Sequence, residues 1–122
     1  MPTYSPKKTL GDLLLVEVAP GWTKQKALLL AGTDYALGTV LSKVAGKHQA
    51  LDPAGVDGSE VAVAVLGEQV DATAADAPGV VIARGAVVEA SELVWPAGIT
   101  DPQKSTALEA LDALGIVARA AL

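Results

Sequence analysis

Few side chains in this sequence are of types that carry chemistry, and their spacing limits what they could do. Two carboxylate pairs come closest to a general acid and base: Glu89 and Glu92, three residues apart beside Trp95, and Asp71 with Asp76 among small residues. Each pair lies in a polar stretch with no buried partner evident, so both are expected to be solvated. A three-fold assembly could still gather such residues at a subunit boundary. His48 is the only histidine, which rules out a His-paired triad network or a multi-histidine metal site within one chain. Beside Lys47, in what reads as a turn, it is expected to face solvent.

The remaining nucleophile and phosphate signals are missing. Ser5, Ser42, Ser59, Ser91 and Ser105 all lack the Gly-x-Ser-x-Gly context of a nucleophile elbow. There is no phosphate-binding loop and no Gly-x-Gly-x-x-Gly fingerprint. With no cysteine, neither a disulfide framework nor a thiolate metal site can form. Catalysis has no positive support, and no cofactor or metal is expected.

The elements that would position these residues are made from an unusual set of side chains. The chain has 122 residues, the size of one domain, and is 51% apolar but only 3% aromatic. Its core must therefore be Val, Leu, Ile and Ala, which fill thin layers well and deep single cores poorly. Burial of Ala- and Val-rich surface against copies of the same chain is the expected supplement. Residues 1–50 carry a net charge of +3 and residues 51–122 a net charge of −8. An acidic body of this kind lacks the dense cationic cluster that duplex nucleic acid requires, so no nucleic-acid partner is expected. The apolar run Leu13 to Val18 is too short to span a bilayer and is flanked by Asp12 and Glu17, so no membrane association is expected. The expectation is a soluble protein, cytoplasmic when first made.

The stretch Gly85 to Pro96 organises the chain. It reads as a strand ending in a Trp95-Pro96 corner, followed by Thr100-Asp101-Pro102-Gln103, a helix start. Either Asp101 caps with Pro102 at the first helical position, or Thr100 caps with Gln103 returning the bond. Leu108, Leu111 and Leu114 recur every three residues with Ala107 and Ala110 beside them, and Gly115 is a stop signal. Ile116-Val117-Ala118 then reads as a closing strand. Trp95 either plugs the open end of a small β core or forms, with Pro96, a surface corner for self-association or a partner.

Earlier in the chain, strands are expected at Leu13–Val18, Thr39–Val44, Glu60–Leu66, Val80–Arg84 and Ala86–Val88, with a bend at Gly85. In Glu60–Leu66, valine alternates with alanine at period two, as in a strand packed on both sides. Trp22 to Lys26 reads as a loop or hairpin limb, 49–59 as loop, and 68–77 as a link between strands. The fold class is α+β, mainly antiparallel β, with one short helix in the C-terminal region. Residues 1–12 are expected to form a flexible arm and residues 13–122 a single domain. The arm, Pro2, Thr3, Tyr4, Ser5, Pro6, Lys7, Lys8, Thr9 and Leu10, cannot bury enough surface to fold alone. It is either an inert terminus or an extended segment that adds to the edge of a partner's sheet, with Tyr4 and Leu10 as anchors.

Four ordered pieces carry a resemblance: Gly38-Thr39-Val40-Leu41 with Lys43 soon after, the Val-Ala strand at 61–66, Leu93-Val94-Trp95-Pro96 closing the segment from Gly85, and the helix start from Asp101 to Ala107. Together they resemble the lambda-type head decoration proteins of tailed bacteriophages, over most of the chain from about residue 13. The resemblance implies a non-enzymatic homotrimer on the outside of the expanded phage head. It would sit at three-fold and quasi-three-fold positions, made in the host cytoplasm and carried on the virion, with the major capsid protein as partner. It further implies that residues 2–10 order on the shell through β contacts, while Trp95 and Pro96 lie in the folded body. The stretch from Leu13 to Leu30 is a further candidate for the capsid-facing portion. Two rivals remain open on the residues alone: a trimeric β module that binds a glycan through Trp22 or Tyr35, and a trimeric enzyme using Glu89 or Glu92 at a shared site.

Overall fold

The described chain, residues 9–119 of the computed structural model, opens with a single helical turn. This turn is α1 (Leu10–Leu13), and it leads directly into β1 (Leu14–Glu17). A second turn, α2 (Pro20–Thr23), precedes β2 (Lys24–Leu29), β3 (Thr33–Tyr35), β4 (Val40–Val44) and β5 (Lys47–Ala50). After a long loop come β6 (Ala64–Leu66), β7 (Val70–Ala72), β8 (Ala77–Ile82), β9 (Ala86–Glu89) and a 3-10 turn (Ala90–Glu92). The chain closes with α3 (Asp101–Ala113) and β10 (Ile116–Arg119). The architecture is mainly antiparallel β with one substantial helix near the C-terminus, as expected.

Five strands close a barrel in the order β2-β5-β4-β6-β8; β1-β9-β10 form a separate three-stranded sheet, and β3 pairs with β7. Only two pairings run parallel between strands: β10 along β9, and β2 against β5 through the single pair Leu29 and His48. That one-residue seam contrasts with the six residue pairs joining β2 to β8.

Alternation along the barrel strands separates two cores. Leu41 of β4, Ala64 and Leu66 of β6 and Val81 of β8 meet Leu29, Tyr35 and Val70 in one cluster, the barrel interior. Their neighbours Val40, Val65 and Ile82 point outward into a second cluster with Leu13, Val88, Leu93, Leu111 and Ile116. A period of two in side-chain direction thus lets one thin wall stabilise both layers. Each fully buried Leu, Ile or Val contributes about 1.5–3 kcal/mol of transfer free energy, and no large aromatic is needed.

The helix start resolves in favour of Thr100. Its Oγ1 accepts from the Gln103 N–H at 3.3 Å, and the Gln103 side chain accepts from the Thr100 N–H at 2.9 Å. Ala107 and Leu111 form the buried stripe of α3, while Leu114, expected on that stripe, is the C-cap and is exposed. The helix ends one residue too early for Leu114 to turn inward, and Gly115 leaves it at φ +80°.

Several expectations are corrected. Of the two readings of Trp22 to Lys26, loop or hairpin limb, Lys24–Lys26 takes the strand one, but on a ladder whose partner, β8, is more than 50 residues away. The strand expected over Glu60–Leu66 is regular only at Ala64–Leu66, and Val61 is exposed. Lys47–Ala50 is strand β5, not turn and loop, and His48 is buried at 5% exposure rather than solvated. It shares the inward face of Ala50, since Lys43 and Leu41 are their respective partners on β4.

Burial holds the His48 imidazole below its ordinary value of 6.5, and the nearby Lys43 charge acts in the same direction. The unfolded chain therefore binds a proton at His48 at a higher pH than the folded protein does. Stability is full above about pH 6.5 and falls as pH drops through that value toward the lowered folded one. Urea midpoints should decline from about pH 7.5 to about pH 5, and the decline should be shallower in His48→Gln. An equal decline in the two proteins would assign the effect to other groups.

Candidate functional site

Two segments that are far apart in sequence are spliced by main-chain hydrogen bonds. Val94 N–H donates to Gly38 O at 2.9 Å, and Val40 N–H donates to Val94 O at 3.1 Å. Thr39 and Val94 form a parallel bridge, and Gly38 N–H and Leu66 N–H tie the same strand start to β6. The splice demands glycine at position 38. Its φ is +91°, and a Cβ there would lie 2.2 Å from the Glu92 carbonyl oxygen. Two pieces of the sequence pattern, Gly38–Leu41 and Leu93–Pro96, are therefore one structural unit.

This splice sets the Trp95-Pro96 corner. Leu93 is buried, Val94 is exposed, and Trp95 packs against the outer core cluster while remaining partly exposed. Tyr35, Thr39, Val94, Trp95 and Pro96 line a shallow hollow of about 190 Å³. Trp95 thus serves the core and also presents part of its ring at the surface.

Pro2 to Lys8 lie outside the described residues. Thr9 is the N-cap of α1, its N–H donating to Asp12 Oδ2 at 2.7 Å, and Leu10 is half-buried against the outer core cluster. Leu10 also stands between two open hollows. The larger, about 760 Å³, is walled by Leu37, Gln69, Leu93 and Val94; the smaller, about 420 Å³, by Lys24, Lys26 and Val80. Leu10, Gly67 and Glu68 border both.

Glu89, Asp71 and Asp76 are each engaged in local hydrogen bonds. Glu89, expected to be solvated, is 9% exposed and accepts from Ser91 N–H at 3.3 Å and Ser91 Oγ–H at 3.0 Å, capping the 3-10 turn. Asp71 accepts from Thr73 Oγ–H and N–H, which hold its carboxyl below the usual range. Asp76 accepts from the Lys47 ammonium at 2.6 Å and Ala31 N–H at 2.7 Å, and is lowered likewise. Each is committed to local geometry. Among the described residues no group of three or more His, Asp or Glu could hold a metal ion, and no helix is long and apolar enough to cross a membrane.

The two rings singled out for glycan contact differ. Tyr35 is 3% exposed and its hydroxyl donates to Leu30 O at 2.7 Å, so it presents no ring face to a ligand. Trp22 is 51% exposed and rests on Gly85, whose φ of +59° and absent Cβ make room for the indole. The Arg84 guanidinium lies 5.8 Å from the ring centroid and donates to Trp22 O and Gln25 Oε1, fixing the ring.

Sequence reasoning missed one surface. Val16, Val87 and Val117 are paired directly across β1, β9 and β10, on the face opposite the buried Val88, Ala86 and Ile116. Val16 and Val117 are 44% and 39% exposed, and Val18 and Trp22 continue the apolar surface at one end. In sequence these valines look like any buried strand residues, and no local signal separates them.

A family model described as bacteriophage lambda head decoration protein D matches residues 3–116. No curated protein matches the chain.

Gly38→Ala should cost about 2–4 kcal/mol, because the alanine must adopt a left-handed backbone and displace the Glu92 carbonyl. Trp95→Ala should cost less than a fully buried tryptophan, about 1–3 kcal/mol. Denaturant unfolding of the two variants beside the parent checks both the order and the size.

Proposed function

The chain belongs to the bacteriophage lambda head decoration protein D family, and on that premise we propose that it is a non-enzymatic cement for the phage head. Three copies assemble into a homotrimer that binds the outer surface of the expanded capsid at three-fold and quasi-three-fold sites. There it ties neighbouring major capsid protein subunits together. The match over residues 3–116 carries this reading. The protein is made in the host cytoplasm and ends on the virion surface.

The structural features support such a role physically. A cement needs affinity for the assembled lattice and no reactive group, and the acidic side chains examined above are committed to capping and turn geometry. The valine row of the three-stranded sheet supplies apolar surface of the kind that copies bury against one another. The leading segment, residues 2–8, precedes the capped helix start at Thr9. Three such segments on one trimer convert weak single contacts into strong attachment through effective concentration, with gains on the order of 10² or more. Binding only the expanded shell then shifts the balance toward the intact state, by about 2.7 kcal/mol per site at a hundred times Kd.

Mixed with expanded and unexpanded heads, the protein should co-sediment with the expanded ones alone. Deleting residues 2–8 keeps Thr9 as the cap of α1 and Leu10 in its packing, so the truncated protein should unfold at the parent's denaturant midpoint while losing the shell. Undiminished attachment of the truncated protein would remove the leading segment from the mechanism. Failure of the parent to attach would remove the cement reading itself.

A further inference from the structure

The barrel is closed by joints of very unequal strength, and the weakest one carries the chain's single imidazole. β5 is held to β4 by four residue pairs and β2 to β8 by six, whereas β2 and β5 meet through the one pair Leu29 and His48. His48 therefore carries the seam, and its carbonyl accepts from the Leu30 N–H at 2.8 Å. The residue is 5% exposed, and among the described residues its Nδ1 has no hydrogen-bond partner. A buried polar nitrogen left in that state is unusual in a folded protein, because it forfeits the bond it would make in water.

The surroundings favour the neutral ring. Lys43, paired with His48 across β4, brings a positive charge that opposes protonation, while the neighbour on β2 is apolar Leu29. Next to His48 on β5, Lys47 is paired with Asp76 at 2.6 Å, and Asp76 also accepts from the Ala31 N–H just past β2. Hydrogen bonds from Lys47 and Ala31 hold the Asp76 carboxyl below the usual carboxylate range, so this link stays charged in mild acid and tethers the ends of β2 and β5. A proton on His48 would place a second cation beside Lys43 in a buried site. Parting β2 from β5 returns the ring to water at the loss of one residue pair, and leaves the longer ladders on either side intact.

We propose that His48 is an acid-operated latch on the barrel: when its imidazole gains a proton, β2 and β5 part at Leu29 and His48, and when the proton leaves, the seam closes again. The opening is local, hinged at the Asp76 link, and it bares the Leu29 end of the barrel interior. The ring of the open seam titrates near the ordinary 6.5 and the ring of the closed seam below it. The seam is therefore fully shut above about pH 6.5, loosens as pH falls through that value, and loosens no further once the closed ring is protonated as well. The latch belongs to the folded body and operates whether or not the protein attaches to a phage head.

Native-state amide exchange separates this latch from unfolding of the whole molecule, since the same proton favours both but they expose very different areas. The protection of the Leu30 amide, corrected for its intrinsic exchange rate, should fall between about pH 7.5 and about pH 5 and should be nearly insensitive to low urea at each pH. In His48→Gln the fall should vanish. In Lys43→Gln, a change at an exposed site that leaves the seam pair in place, the fall should shrink, because the closed ring then takes up its proton more readily. A urea dependence at Leu30 as steep as that of global unfolding overturns the proposal. So does a fall of the parent's size in His48→Gln or, should that protein not fold, in Lys43→Gln.

Discussion

The structure depends on the splice between Gly38–Val40 and Val94. A closed five-stranded barrel has no spare edge from which to organise the chain's C-terminal third, yet α3 and β10 must be held over its outer face. Two main-chain hydrogen bonds at the start of β4 provide the link, Val94 N–H to Gly38 O and Val40 N–H to Val94 O, and together they make the parallel bridge at Thr39. Such contacts are individually worth only about 1 kcal/mol net, but they set the direction in which the chain leaves β9. From there Leu93 drops into the outer core, Trp95 packs beside it, and the capped helix follows.

The scarcity of aromatic residues has a structural counterpart. Thin layers of aliphatic side chains suffice when one wall serves two cores, and β4, β6 and β8 do this by sending alternate residues to opposite sides. The cost of that economy appears at the periphery. The three-stranded sheet has aliphatic residues on both faces, and among the described residues only one face is covered, which leaves Val16 and Val117 exposed and Val87 partly so. An apolar row of this kind is surface on which a partner could be seated. A protein that acts by attachment can use such surface, because its function is the difference in free energy between bound and free states.

That economy extends to the polar groups. Glu89, Asp71 and Asp76 satisfy backbone donors and a lysine, and the buried His48 lies at the weakest seam of the barrel, where β2 and β5 share one residue pair. Polar side chains in this fold shape turns and seams.

Much of this was legible in the sequence because it is written in local chemistry. The capping pair Thr100 and Gln103, the stop at Gly115, the bend at Gly85 and the closing strand from Ile116 depend on hydrogen bonds and dihedral angles within a few residues. The resemblance carried by Gly38–Leu41, Leu93–Pro96 and the helix start likewise points to the family through local pattern. Tertiary structure alone decided the rest. Lys24–Lys26 became a strand because β8 lies beside it, His48 became buried on a strand closed between β2 and β4, and Val16 and Val117 remained exposed because none of the described residues covers them. Burial is a property of what the distant chain brings alongside a residue, and a sequence read locally records the residue without its cover.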